Sequence, residues 1–398
     1  MQPDSTAVTP RFRRRGLALM GVVAVATVLR PLVVTVGPVL PELQADLGLT
    51  AVSAALLTAL PVACFGVGAF LGPTLAFRAG LDTGLTLAMV LLVVGAVIRA
   101  VGGVGLLFTG TVVIGASIAV ANVLLPALVR RDFPERVGLV TGIYTSTLAI
   151  TATLAALLAV PLADRTGGDW RTPFAVWALA AAMAVVPWSV RRRRSPAHDQ
   201  AGAVEPTSPR GLMRSGTARG LTLFMGLQSI GYYVALAWLP TLLQDNGLTP
   251  VGSGALLSLV TVLGIPAGLL LPILAGRMHQ QRALAVGATA FTLLGWTGLL
   301  VAPTAVPVLW ALLLGIGTGS TFPLALVLIA LRSGSAAITP SLSALVQGAG
   351  YLIAAAGPLL IGVLHEASAG WTLPLGVLIG ITVAQAVCGW FAGRAQTV

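Results

Sequence analysis

The chain has no lysine, and charge of either sign is scarce. Only 9% of its 398 residues are charged, against about 25% in a soluble globular domain. So few charges cannot clothe a water-facing surface. Cysteine is nearly absent: Cys64 and Cys388 both lie inside apolar runs. That makes a disulfide framework unexpected and gives no reading of redox compartment. With three histidines, no metal-ligand spacing appears. No Ser/His/Asp or Cys/His arrangement supplies a nucleophile with its base. Gly-x-Gly patterns occur inside apolar runs and not after a strand, so a phosphate loop is not expected. The reading is no enzyme, no cofactor and no metal.

What remains is apolar. Hydrophobic residues make up 57% of the chain, and mean hydropathy is +0.95. A membrane-crossing helix needs about 20 apolar residues, so this length holds about twelve. The apolar runs are continuous rather than alternating, which selects helices over a closed barrel. The expected fold is an all-α membrane protein with 12 transmembrane helices. Spans are placed at 17–40, 52–77, 83–101, 104–129, 138–163, 173–190, 219–243, 252–276, 283–302, 305–331, 341–364 and 371–393. The first follows Arg11, Arg13, Arg14 and Arg15. It is too long for a signal-peptide core of about 7–15 residues, so it is expected to be retained.

Polar segments divide the chain. Residues 1–16 form an N-terminal tail, and 17–190 an N-terminal six-helix bundle. Residues 191–218, opening with Arg191-Arg192-Arg193-Arg194, read as a linker. Residues 219–398 form the second bundle. If the N-terminus is cytoplasmic and the spans alternate, nineteen arginines fall inside and only Arg165 and Arg171 outside. That is a strong positive-inside pattern. It accounts for the net charge of +11 without nucleic acid. The expectation is a multi-pass inner (plasma) membrane protein, monomeric, with both termini cytoplasmic.

The halves repeat. Leu40-Pro41-Glu42-Leu43 and Gly48-Leu49-Thr50 return 199 residues later as Leu239-Pro240-Thr241-Leu242 and Gly247-Leu248-Thr249. Pro73 to Arg78 returns in the same register as Pro272 to Arg277. Six spans per half is an even number, so both halves insert in one orientation. Such a parallel repeat places a substrate site near mid-membrane, between the halves.

Four stretches carry a resemblance. They are Leu29-Arg30-Pro31 with Val36 to Pro41; Ala121-Asn122-Val123 through Arg130-Arg131-Asp132-Phe133-Pro134; Gly226 to Tyr233, continuing to Ala237-Trp238-Leu239-Pro240; and Phe322 to Ala325 with Gln347-Gly348, Gly350-Tyr351 and Gly357-Pro358-Leu359. With these the chain resembles the major facilitator superfamily and, within it, the cyanate/2-nitroimidazole transporter (CynX/NimT) family. The superfamily's loop after the second span is degenerate here, reduced to Gly72, Arg78, Gly80 and Asp82. The resemblance implies transport of a small solute by two rocking bundles.

Arg30 is the sharpest single signal. It is the fourteenth residue of the first span, roughly 20 Å from its inner end. A charge at that depth costs at least about 2.5–3.5 kcal/mol. None of the twelve acids falls in the middle of an expected span. Arg30 therefore faces a water-filled cavity completed by an anionic substrate, or bonds to backbone carbonyls freed near Pro31. Asn122 is an amide within the fourth span, and Tyr144 lies in the fifth. Gln228 and Tyr232 share a helix face at i, i+4, and Gln347 with Tyr351 repeats the device. Trp238 follows on the seventh span. These are the candidate substrate-binding residues, with Arg99 as a candidate at the outer mouth. For most of them interhelical packing is the competing role. His365 beside Glu366 reads as an exposed pair or as a proton relay. The expected function is secondary transport of a small polar or anionic solute. Export of neutral nitroimidazole-like compounds is the alternative, and a non-translocating sensor or channel is a rival of another class.

Overall fold

Inside lipid a backbone N–H or carbonyl has no partner but its own helix, and the chain folds accordingly. The computed structural model describes residues 9–194 and 207–398. The helices are α1 (Thr9–Leu29), α2 (Pro31–Val34), α3 (Leu40–Leu47), α4 (Ala51–Gly68), α5 (Leu71–Ala79), α6 (Leu81–Val101), α7 (Val104–Asp132), α8 (Val137–Asp164) and α9 (Arg171–Arg194). After the linker come α10 (Pro209–Leu212), α11 (Gly216–Asp245), α12 (Pro250–Arg277), α13 (Arg282–Val301), α14 (Pro307–Arg332), α15 (Thr339–Ser368) and α16 (Thr372–Ala392). Among the described residues, eleven helices are long and apolar enough to cross a membrane. The number is twelve when α4 and α5, bent by 54° at their junction, count as one span.

Three expected boundaries shift. The first span breaks at Arg30, because Pro31 has no N–H to continue the ladder. The second breaks between Gly68 and Leu71. Arg191 to Arg194 continue α9 rather than opening the linker. Residues 195–206 of the expected linker, and 1–8 of the expected tail, lie outside the described residues.

The repeat seen in the sequence has a local structural cause. Gly48 and Gly247 are both left-handed, with φ +63° and +95°, a conformation glycine takes at little cost. Two residues on, Thr50 accepts from Ser53 N–H and Thr249 from Gly252 N–H. Each Gly-Leu-Thr thus follows the end of one helix with a left-handed glycine and caps the next.

Within the first half, α6 packs on α7 and α9, and α4 on α7. Within the second, α12 packs on α14, α11 on α15 and α16, and α13 on α14 and α16. Outward-facing leucines and valines such as Leu359, Val363 and Leu270 remain exposed, as a lipid-facing surface requires. The halves meet through α8 on α12, α4 on α15, and α7 on α14 and α15. Arg130 Nη2 reaches the Gly334 carbonyl at 3.1 Å, and Ser146 Oγ the Ile265 carbonyl at 3.3 Å. Gly138 and Gly276 let α8 and α12 touch backbone to backbone. These contacts gather from the middle toward the end of the molecule that carries the linker (the linker end). Beyond the break at Arg30, α2 and α3 show no comparable packing against α11.

Candidate functional site

The break after Leu29 sets the site. Arg30 is the residue between α1 and α2, and its carbonyl takes both Val33 and Val34 N–H at 3.0 Å. Thr35 Oγ1 bonds the Pro31 carbonyl at 2.7 Å. The Leu32 carbonyl is met by Arg99 Nη1 at 2.6 Å. Arg99 therefore lies inside the first half, 1% exposed, with its guanidinium 4.1 Å over the Phe174 ring. The structure places it behind the helix break and not at a rim. It supplies the donor for backbone loosened near Pro31, which leaves the Arg30 side chain for other partners.

Those partners are phenols. The chain has four tyrosines, and three of them gather around this one guanidinium. Tyr351, Tyr233 and Tyr232 all lie within electrostatic reach of Arg30, and Tyr144 stands beside Tyr351. Arg30 also sits 5.7 Å over the Phe322 ring. Phe65 packs against Tyr351 with centroids 5.6 Å apart. Among the described residues no carboxylate pairs with Arg30. Arg30 is half-buried as a residue, whereas Tyr144 and Tyr351 are buried. The Tyr144 hydroxyl is buried without a hydrogen-bond partner. Arg30, Tyr144 and Phe65 come from one half, and Tyr232, Tyr233, Tyr351 and Phe322 from the other. The cluster straddles the boundary between the bundles.

The amides behave differently. Gln347 Nε2 crosses the boundary to the Asn122 carbonyl at 2.9 Å and also meets Ser343 Oγ at 2.8 Å. With both donors used, its buried Oε1 has no partner. Asn122 joins this contact through its backbone, with its residue half-buried. Gln228 is turned into the second half, bonding Ser229 Oγ at 2.6 Å and the Met225 carbonyl at 3.1 Å, and accepting from Thr321. Trp238 stands apart, donating to the Pro358 carbonyl at 2.9 Å toward the far end. Tyr233 belongs to the Arg30 cluster although a one-face stripe through Gln228 and Tyr232 passes over it, and Phe322 joins from α14. Tyrosine's rarity in the chain was the signal that would have found Tyr233.

A basic residue at mid-span, between two repeated six-helix bundles, with its polar companions drawn from both, defines a membrane transporter rather than an enzyme. The description "Major Facilitator Superfamily" matches residues 23–339. The chain belongs to that superfamily and, within it, to the family of the cyanate and 2-nitroimidazole transporters. It is 34% identical over 386 residues to the 2-nitroimidazole transporter of Escherichia coli (strain K12), covering 97% of this chain and 98% of that one. It is 33% identical over 356 residues to the cyanate transport protein CynX of the same organism, covering 89% and 91%. An uncharacterized transporter, YycB, of Bacillus subtilis (strain 168) is 36% identical over 377 residues, covering 94% and 93%. Among solved structures, the proton:xylose symporter XylE superposes with a TM-score of 0.74 at 16% identity, over 97% of both chains. The fucose transporter FucP does so at 0.70 and 12%, over 97% and 99%. These two likenesses establish the fold.

Proposed function

We propose that this protein carries a small polar or anionic solute between its two bundles by alternating access, with Arg30 holding the solute's negative end. One observation carries the reading: Tyr351, Tyr233 and Tyr232 converge on a mid-span arginine that no carboxylate neutralises among the described residues, with Tyr144 behind Tyr351. A buried cation without a fixed counter-ion is costly, and an incoming anion removes that cost. The guanidinium fork suits a planar anion gripped through two hydrogen bonds. Tyr351, Tyr233, Tyr232 and Tyr144 line the space around it, and Gln347 stands one turn below Tyr351. Because both bundles contribute, tilting one against the other dismantles the site, as a rocking transporter needs. The packed linker end and the unpacked far end support the same cycle. Arginine placement favours cytoplasmic termini in a bacterial inner membrane, and a single chain supplies every group the cycle uses.

A second reading has its own support. Phe322, Phe65 and the tyrosine rings give the cluster aromatic walls, and one relative is named for a nitroimidazole. In that reading a neutral ring stacks on the aromatics and Arg30 meets its nitro oxygens.

The test is calorimetric titration of the purified protein and its Arg30→Gln variant with cyanate, nitrate, small carboxylates and 2-nitroimidazole. Anion binding that vanishes in the variant supports the first reading. Equal binding to both proteins overturns it, and binding of the ring compound alone moves the site to the aromatics.

A further inference from the structure

The far end of the molecule carries one device twice, with one part exchanged. In the first half, Trp170 Nε1 donates to Asp46 Oδ2 at 2.9 Å. In the second, Trp371 Nε1 donates to Asp245 Oδ2 at 2.9 Å. Asp46 and Asp245 are 199 residues apart, the register of the sequence repeat. The cation facing each carboxylate differs. Arg171 places Nη2 3.1 Å from Asp46 and lies 4.2 Å over the Trp170 ring. In the second half the residue after Trp371 is Thr372. His365, from the last turn of α15, stands in the cation's place.

The geometry of His365 is specific. Its ring stacks on Trp371 with centroids 4.1 Å apart and 24° between planes. Nδ1 lies 3.2 Å from the Gly370 carbonyl, and Nε2 lies 3.9 Å from Asp245 Oδ2. Both nitrogens therefore face acceptors. A neutral imidazole has one N–H; the imidazolium donates to the Gly370 carbonyl from Nδ1 and at 3.9 Å adds an ion pair, not a hydrogen bond, to Asp245. The Gly370 carbonyl is held by a tight turn in which Ala369 is left-handed, at φ +49°. The charged and titratable groups near His365 are few. Asp245 faces it from α11, and Glu366, exposed, follows it on α15. The 369–371 turn contributes a carbonyl and an indole, and Trp238 of α11 a second indole 6.3 Å away.

We propose that His365, Asp245 and the Gly370 carbonyl form a proton-binding site, and that its filling ties the far ends of α11 and α15 together. Of the two cations only histidine can give up its charge near neutral pH, so only the second-half tie depends on a proton. The first-half counterpart does not respond. Arg171 keeps its charge, and Asp46 is held below the ordinary carboxylate range by the Trp170 indole N–H and by Arg171. The tied helices are those that bring Tyr232, Tyr233 and Tyr351 to Arg30. Asp245 lies thirteen residues beyond Tyr232, about 20 Å along the helix. The proton thus acts on the frame of the central site from a distance and without touching solute.

The experiment uses the full chain in detergent, followed by tryptophan emission and thermal melting from pH 5 to pH 8. An imidazolium stacked on an excited indole accepts its electron and quenches it. The expected result is a quench that grows on acidification and is absent in both His365→Gln and Trp371→Phe. The melting difference between wild type and His365→Gln widens as pH falls. His365→Arg, built on the first-half pattern, holds the acid-side stability at every pH. A quench that persists in Trp371→Phe, or a melting difference constant across the range, overturns the proposal and leaves His365 as packing. If His365→Gln does not fold, the comparison of wild type with Trp371→Phe decides alone.

Discussion

At the scale of single residues, the Arg30 cluster separates charge from shape. Arg30→Lys keeps the cation but replaces a planar fork with a point charge. Losing one charge-assisted bond costs about 1.5–3 kcal/mol, so a planar anion should bind roughly tenfold or more weakly. A small, near-spherical anion should lose less, and titration of both probes checks the contrast. Tyr351→Phe keeps the ring packed on Phe65 and removes only the hydroxyl. Its expected cost is about 0.5–1.5 kcal/mol, a two- to tenfold weakening of anion binding with little change in melting temperature. Arg30 was legible in the sequence because a mid-span charge is expensive. The difference between Gln228 and Gln347 was not. Both are amides one turn from a tyrosine, and only packing shows that Gln228 spends its bonds within its own half while Gln347 crosses to the other.

Elements tell a similar story about what periodicity can and cannot carry. Apolar runs located the spans, because hydrophobic length is set by the bilayer itself. They did not locate the breaks at Arg30 and at Gly68, since a broken span is as apolar as a straight one. Proline marked the first break; the second has no proline at it and follows a glycine. The close approach of α8 and α12 was likewise hidden among 47 glycines. It matters for the cycle. A Cβ on Gly138 would collide with the Pro272 carbonyl and press on Gly276, backbone against backbone, where no side chain can swing aside. Overpacking of this kind costs about 1–3 kcal/mol. Gly138→Ala should therefore penalise the arrangement packed at the linker end and shift the population tenfold or so toward the opposite one. Labelling rates of single cysteines introduced at the two ends of the boundary measure the shift. Unchanged rates at both ends would mean that the α8–α12 contact moves as a unit and takes no part in opening.

For the whole molecule, the repeat shows which parts are interchangeable and which are not. At the linker end Arg131 of the first half pairs with Asp82 at 2.8 Å. The corresponding pair in the second half, 201 and 199 residues on, is Arg332 with Gln281. From sequence alone the glutamine looks like a carboxylate site that has lost its charge, so restoring an acid should strengthen it. The bonds say otherwise. Gln281 Nε2 donates to the Ala275 and Met278 carbonyls while its Oε1 accepts from Arg332, and the residue is 1% exposed. Arg332 is already held by the Ala392 and Gly393 carbonyls. Gln281→Glu adds an attraction to Arg332, yet it puts a second carboxylate oxygen against two carbonyls, removing the side-chain donor from both and leaving Ala275 only the long bond from Met278 N–H. Each buried polar group left unmet costs about 1–3 kcal/mol, enough to offset the gain from a cation that is already satisfied. The expected outcome is a lower melting temperature for Gln281→Glu at neutral pH, partly recovered on acidification as the carboxyl regains a proton to donate. Asp82→Asn should melt lower as well, by loss of the ion pair, but with no such recovery in acid. A Gln281→Glu protein that melts higher than wild type would show instead that the second half tolerates the ionic form, and that the two linker-end pairs are equivalent after all.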